Sequence, residues 1–334
     1  MKALVVEGPN RARVVEVPEA KARAGEALLQ VRMVGLCGTD LNTFRGRNAM
    51  VEFPRVLGHE IAATVVDAGD GAYAVGTHVT LSPYTACGKC PSCRRGRLNA
   101  CQFNETLGVQ RDGALTERIA VPSEKLYPAT LSLRELALVE PLTVGFHAAA
   151  RGRVTASDTV AVFGCGGVGL GAISSAAFRG ARTIAIDMDD AKLEIARKAG
   201  ATDLIHSSRE DLHARLVEIA GHGPDVTIEA IGLPATFRAA VEEVAFTGRV
   251  VYIGYAKEPV AYETRLFVQK ELDIMGSRNA LPEDFREVIG MLEEKRFPVE
   301  ETISVVAPME EAPGLLREWS ENPAKFTKIM IEVS

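Results

Sequence analysis

The sequence predicts an α/β fold in two parts, an antiparallel β domain and a doubly wound parallel sheet, on three observations. Its 334 residues are long for a single core. The apolar pattern changes from short alternating segments before about residue 125 to alternating strand-like and helix-like segments after Val160. At the change stands Val160-Ala-Val-Phe-Gly164-Cys-Gly166-Gly167-Val168-Gly169, then a run of small residues, then Thr183-Ile-Ala-Ile-Asp187. That stretch reads as strand, tight turn, helix and strand.

Taken in order, Lys2 to Glu7, Ala12 to Val17, Glu26 to Val34, Glu60 to Asp67 and Val79 to Ser82 alternate as strands of an antiparallel barrel or sandwich. Gly69, Asp70, Gly71 and Gly76 mark turns. Leu133 to about Ala150 reads as helical, with Pro141 expected to break or kink it. Beyond the glycine turn come a helix from Asp190 to Lys198 stopped by Gly200, a strand near Asp203 to His206, and a helix around Glu210 to Ala220. Asp225 to Ile231, Arg249 to Tyr255 and Glu271 to Gly276 supply further strands, in the βαβ rhythm of a parallel sheet. A helix from Pro282 to Lys295, the stretch Val299 to Ala307, a helix near Glu310 to Ser320 and a strand from Lys328 to Val333 close the chain. The last strand needs a sheet to complete, so the tail is expected to rejoin the first domain. The expected domains are therefore 1–149 with 280–334, and 150–279.

Gly164 suits a sharp turn, Gly166 a close approach of backbone to a pyrophosphate, and Gly169 the packing of helix on strand. The helix N-terminus offers N–H groups to the phosphates, and Asp187, 23 positions after Gly164, offers a carboxylate to ribose hydroxyls. A 2′-phosphate would meet that charge with Asp189 and Asp190 close behind, and Arg182 is the only nearby cation before the strand, so NAD is expected over NADP. The rival reading is a membrane span, because Thr159 to Phe178 is twenty residues without a charge. Its five glycines and the strand-turn-helix pattern argue against it.

Charged residues make up 25% of the chain, the net charge is −6, and Lys and Arg form no stripe. Nucleic acid and membrane are therefore not expected as partners. The N-terminus meets Glu7 before an apolar signal core can develop, so a cytoplasmic location is expected. Of the six cysteines, Cys87, Cys90, Cys93 and Cys101 fall within fifteen residues, which in such a compartment points to metal. Two-residue gaps let adjacent thiolates turn around one tetrahedral ion, in a lobe of about residues 84–103, and four sulfurs leave no open position. Zinc is the expected ion, with an iron–sulfur centre or a disulfide pair as rivals. Cys37, His59, Glu60 and Glu140 are dispersed, yet together they form a mixed sulfur, nitrogen and oxygen set that leaves a position for water or substrate. Lys89, Arg94, Arg95 and Arg97 admit a different class, a zinc-lobe interaction or nucleic-acid module, and are more simply a solvated face.

Five segments in order, Cys37-Gly-Thr-Asp, Gly58-His-Glu, the four-cysteine lobe, Glu140-Pro-Leu and the glycine turn, resemble the zinc-dependent medium-chain dehydrogenases over nearly the full length. The resemblance implies a GroES-like catalytic domain with a Rossmann domain, NAD, and two zinc ions per chain. It places catalytic zinc at Cys37 and His59, with Glu60 and Glu140 as direct or water-bridged ligands, and structural zinc at the four lobe cysteines. It implies oxidation of a secondary alcohol, Thr39 taking the proton, and cofactor contacts at Lys192, Ile231 and Gly254 beside the glycine turn. Family members commonly carry a His where this chain has Asn42, so the proton must leave through Glu60, a water chain or another group, for which His147 is a candidate beside a structural role. Glu140, where simple alcohol dehydrogenases carry Cys, is the mark of a branch with sorbitol, threonine and sugar-acid dehydrogenases. Arg278 and Asn279 follow the sixth strand, where an Arg of that branch contacts substrate, and Arg suits a carboxylate, with an interdomain ion pair as the alternative for Arg278. A polyol or aldonic acid is the expected substrate, with a threonine-type amino alcohol as the alternative. The resemblance further implies a homodimer or homotetramer built by sheet extension.

Overall fold

The strand Glu26–Leu36 is the one on which the first unit is built. Its burial alternates through its first half and is complete over Val34–Leu36. It pairs antiparallel with Glu60–Asp67, Arg118–Pro122 and Ile329–Glu332. The computed structural model describes residues 1–69, 71 and 73–333, so Asp70 of the expected turn lies outside the described residues. Two compact units emerge, Met1–Glu140 with Val299–Ser334, and Pro141–Pro298. The divisions fall at 140/141 and 298/299, where the sequence suggested 149/150 and 279/280.

Among the described residues of the first unit, a seven-stranded sheet and a three-stranded sheet enclose an apolar core that includes Leu4, Leu29, Val34, Ile61, Leu81, Leu115 and Ile331. The terminal strand joins this sheet antiparallel, with Val305–Pro308 parallel on its outer side. Its register, Ile329 opposite Leu36, sets Lys328 beside the strand end that precedes Cys37. Gly35 lies opposite Glu60, and a Cβ at Gly35 would stand 2.0 Å from Glu60 Oε2. Only glycine leaves room for that carboxylate. A two-stranded ribbon, Tyr84–Thr85 with Glu105–Thr106, closes the base of the cysteine lobe.

In the second unit, six parallel strands run in the spatial order Asp203–His206, Arg182–Asp187, Thr159–Phe163, Val226–Glu229, Arg249–Tyr252 and Asp273–Gly276 among the described residues. That is the doubly wound order with its switch point beside Thr159–Phe163. Ala161, Phe163, Ile184, Ile186, Ile205 and Val250 are buried in its core, as an all-apolar central strand requires.

Some elements depart from expectation. Leu133–Arg151 is one helix through Pro141, so the expected break does not occur. Burial of every residue from Glu135 to Thr143 outweighs the roughly 3 kcal/mol that an interior proline costs. Pro234–Glu243, between two expected strands, is a helix. Val226–Glu229 ends two residues early because the Glu229 carboxylate takes the N–H groups of Ile231 and Gly232, at 2.9 and 2.8 Å. Val299 to Ala307 divides into a short helix, Val299–Thr302, and a strand, Val305–Pro308. Thr159 to Phe178 is strand, turn and helix, and no helix among the described residues is long and apolar enough to cross a membrane.

Candidate active site and metal centres

The lobe gathers its cysteines by local chain geometry. Cys90 Sγ lies 3.4 Å from Cys93 Sγ and 3.9 Å from Cys101 Sγ, and ligand atoms of all four cysteines lie within 4.8 Å of one another. A tetrahedron with arms of about 2.3 Å has edges of about 3.8 Å, so these spacings fit a zinc ion and exclude sulfur–sulfur bonds. Backbone N–H groups of Cys87, Cys90 and Phe103 point at these sulfurs. A hydrogen bond with Ser92 and backbone N–H groups bring the Cys90 thiol down to about 5, while burial pushes Cys93 up to about 11.

The dispersed set converges within the first unit. Cys37 caps the Gly38–Phe44 helix, its Sγ accepting the Thr39 N–H at 3.2 Å and lying 3.1 Å from His59 Nε2. Ligand atoms of His59, Glu60 and Glu140, all buried, lie within 4.8 Å of one another. Burial favours a neutral His59, but the charges of Cys37, Asp40 and Glu140 together outweigh it and hold its pKa well above the ordinary histidine value. Burial, reinforced by the Glu60 charge, pushes the Glu140 carboxyl up to about 7. A thiol, an imidazole and buried carboxylates facing one another form a donor set that a divalent cation satisfies, and zinc accepts each of these atoms.

Three partners of this set escaped the sequence reading. Lys328 is 4% exposed and its Nζ donates to both oxygens of Glu60 at 2.7 Å. Burial opposes its charge, yet Glu60 and Cys37 hold its pKa above the ordinary lysine value. Tyr84 donates its hydroxyl to Glu140 Oε1, and burial with the Glu140 charge holds the phenol well above its ordinary pKa, as a donor. Asp40 accepts the Cys37 N–H at 2.9 Å and the Gly58 N–H at 3.3 Å, and its Oδ1 stands 3.8 Å from His59 Nδ1. Asp40 lies in the quoted Cys37-Gly-Thr-Asp segment, so its place three residues after a capping Cys was a usable signal.

The second unit holds the glycine turn. Gly164 takes a left-handed φ of +98°, and a Cβ at Gly169 would stand 1.9 Å from Gly164 O, so neither position accepts a side chain. A Cβ at Gly166 would meet nothing within 4 Å, and the Gly167–Phe178 helix has no side-chain cap. Open space before uncapped N–H groups fits a pyrophosphate. Asp187 accepts the Cys165 N–H at 2.8 Å and the Met188 N–H at 2.7 Å, tying the turn to the end of its strand. Asp189 caps the Asp190–Lys198 helix through Ala191 N and Lys192 N, and Lys192 is half-buried in its first turn. Ile231 packs against Gly164, and Gly254 donates its N–H to Glu229 O at 3.1 Å, so three neighbouring strand ends meet there. Cys165 is fully buried, and burial raises its thiol pKa strongly.

Arg278 and Asn279 lie half-buried between Asp273–Gly276 and the Pro282–Glu293 helix. His147 stands against Asp284, its Nδ1 2.9 Å from Asp284 Oδ2. Asn42 is half-buried in the Gly38–Phe44 helix.

Two family models match the chain, the alcohol dehydrogenase GroES-like domain over residues 23–131 and the zinc-binding dehydrogenase over residues 167–294. A protein of Haemophilus influenzae described as an uncharacterized zinc-type alcohol dehydrogenase-like protein is 34% identical over 335 residues, 98% of each chain. L-galactonate-5-dehydrogenase of Escherichia coli K12 is 34% identical over 276 residues, 81% of each. The crystal structure of an alcohol dehydrogenase from E. coli CFT073 complexed with NADH superposes with a TM-score of 0.92, at 28% identity and 99% coverage of both chains.

Proposed function

The chain belongs to the zinc-binding medium-chain dehydrogenases and is an alcohol oxidoreductase, and on that premise we propose that it oxidises a secondary alcohol of a polyol or an aldonic acid, with NAD as hydride acceptor. The observation that carries the reading is the approach of His59, Glu60 and Glu140 within 4.8 Å, with Cys37 Sγ 3.1 Å from the His59 ring. Cys37 and His59 would hold the catalytic zinc, with Glu140 or Glu60 completing the set. Cys87, Cys90, Cys93 and Cys101 would hold a second, structural zinc. When bound, the catalytic ion supplies a Lewis acid that lowers the pKa of the substrate hydroxyl.

The chain's own groups do the rest. Thr39, two residues after Cys37, takes the hydroxyl proton. Asn42 cannot pass it on, because an amide does not titrate, so it leaves Thr39 by another route. Gly164, Gly166, Gly167, Val168 and Gly169 receive the pyrophosphate, Asp187 and Lys192 the adenosine ribose, and Ile231 and Gly254 line the strand ends beyond. The Asp187 carboxylate favours NAD because a 2′-phosphate would repel it.

Arg278 and Asn279 are the substrate contacts in this reading, and a guanidinium supports a carboxylate-bearing alcohol, in line with the galactonate dehydrogenase relative. The exposed edge strand Asp273–Gly276 supports association by sheet extension into a homodimer or homotetramer. NAD reduction measured against polyols, aldonates, aldoses and threonine tests the proposal. Turnover of a polyol or aldonate is expected, and activity with threonine alone would overturn it.

A further inference from the structure

The segment that carries Arg278 and Asn279 is tied at both ends by one helix. At its start, Arg151 Nε donates to Gly276 O at 3.3 Å, and the Ser277 N–H donates to Tyr252 O at 2.9 Å. At its end, Asp284 Oδ2 accepts the Leu281 N–H at 2.7 Å and stands 2.9 Å from His147 Nδ1. His147 and Arg151 are one turn apart on the Leu133–Arg151 helix, so both ties leave the same face. Between them Asn279 takes a left-handed φ of +51°, a conformation that its surroundings must hold in place.

His147 and Asp284 are 3% and 4% exposed. A pair needed only to knit two helices would be replaced at no loss by apolar side chains of the same volume. This carboxylate does more, because it also caps the Pro282–Glu293 helix through Leu281, two residues from Asn279 and three from Arg278. Fixing the Asp284 rotamer therefore fixes the backbone from which both side chains project.

We propose that His147 is a positioning residue for the alcohol substrate: by holding Asp284 it locks the cap at Leu281 and sets the Arg278–Asn279 segment in its binding conformation. The inference rests on Arg278 and Asn279 contacting substrate. It also accounts for a buried histidine two turns beyond Glu140 without asking it to move a proton.

The test compares three variants of the full-length holoenzyme. The amide nitrogen of His147→Asn falls where Nδ1 does, that of His147→Gln falls where Nε2 does, and His147→Ala has neither. His147→Ala and His147→Gln are expected to raise the KM for the alcohol about tenfold and leave the KM for NAD within about twofold, with His147→Asn close to the parent. Hydrogen exchange at the Leu281 amide is expected to quicken in the Ala and Gln variants and not in the Asn variant. Equal behaviour of Asn and Gln, or parallel rises in both KM values, overturns the proposal. Should His147→Ala fail to fold, the Asn and Gln variants decide the matter by themselves. Should no alcohol be oxidised, the proposed function fails, while exchange at Leu281 still decides whether His147 holds the cap.

Discussion

The two candidate metal-binding sets of the first unit are built in opposite ways. The lobe draws four like ligands from fifteen consecutive residues, closes them with local turns, and points backbone N–H groups at their sulfurs. The dispersed set draws unlike ligands from three segments, and balances them with a buried lysine 268 residues away from its partner. The first arrangement leaves nothing for a substrate to do. The second surrounds one position with groups whose charges are held in tension, which is what a reaction centre needs and a structural site avoids.

Paired substitutions put that contrast under the most strain. Cys37→Ala is expected to lower kcat/KM by about a thousandfold and to reduce zinc from two ions per chain to one, with little change in melting temperature. Cys90→Ala is expected to remove the other ion and to cost stability on the order of 4 kcal/mol. Metal analysis and thermal unfolding on both variants check this, and a Cys37→Ala protein that keeps both ions and its activity would falsify the assignment.

A smaller effect is expected at Lys328. Lys328→Met strands Glu60 in a buried site, costing about 3 kcal/mol in metal-free protein. With zinc added the cost should shrink, because the cation takes over as counter-charge, and Lys328→Met/Glu60→Gln should recover most of the stability. Denaturant unfolding with and without zinc measures both, and an equal cost in the two states breaks the contrast. The smallest effect belongs to the glycine turn, another locally built site. Asp187→Ser is expected to raise the KM for NAD about tenfold and to narrow the preference over NADP, read from initial rates with each cofactor.

The same contrast explains what was legible in the sequence. The glycine turn and the lobe declare themselves because their chemistry is written in residue spacing, and the parallel sheet follows from a period that repeats every few segments. Lys328 carries no such mark: in Phe326-Thr-Lys-Ile-Met-Ile it reads as the polar start of a strand, and only the pairing of Ile329 with Leu36 brings it to Glu60. Tyr84 was equally silent, since nothing local links it to Glu140. Pro141 does not break its helix, because burial around it outweighs a local preference. The Pro234–Glu243 helix carries one local mark, the proline in its first turn, which is itself a start signal.

The ribbon at the base of the lobe carries a practical consequence. Tyr84, the donor to Glu140, sits three residues before Cys87 on that ribbon, and Lys125 Nζ braces the same stretch through Tyr84 O and Thr85 Oγ1, at 2.8 and 2.7 Å. A chelator strong enough to open the lobe therefore reaches Glu140 along the chain. Inactivation by chelation reports on the splint as well as on the reaction centre, and the two are told apart only by counting which ion leaves first.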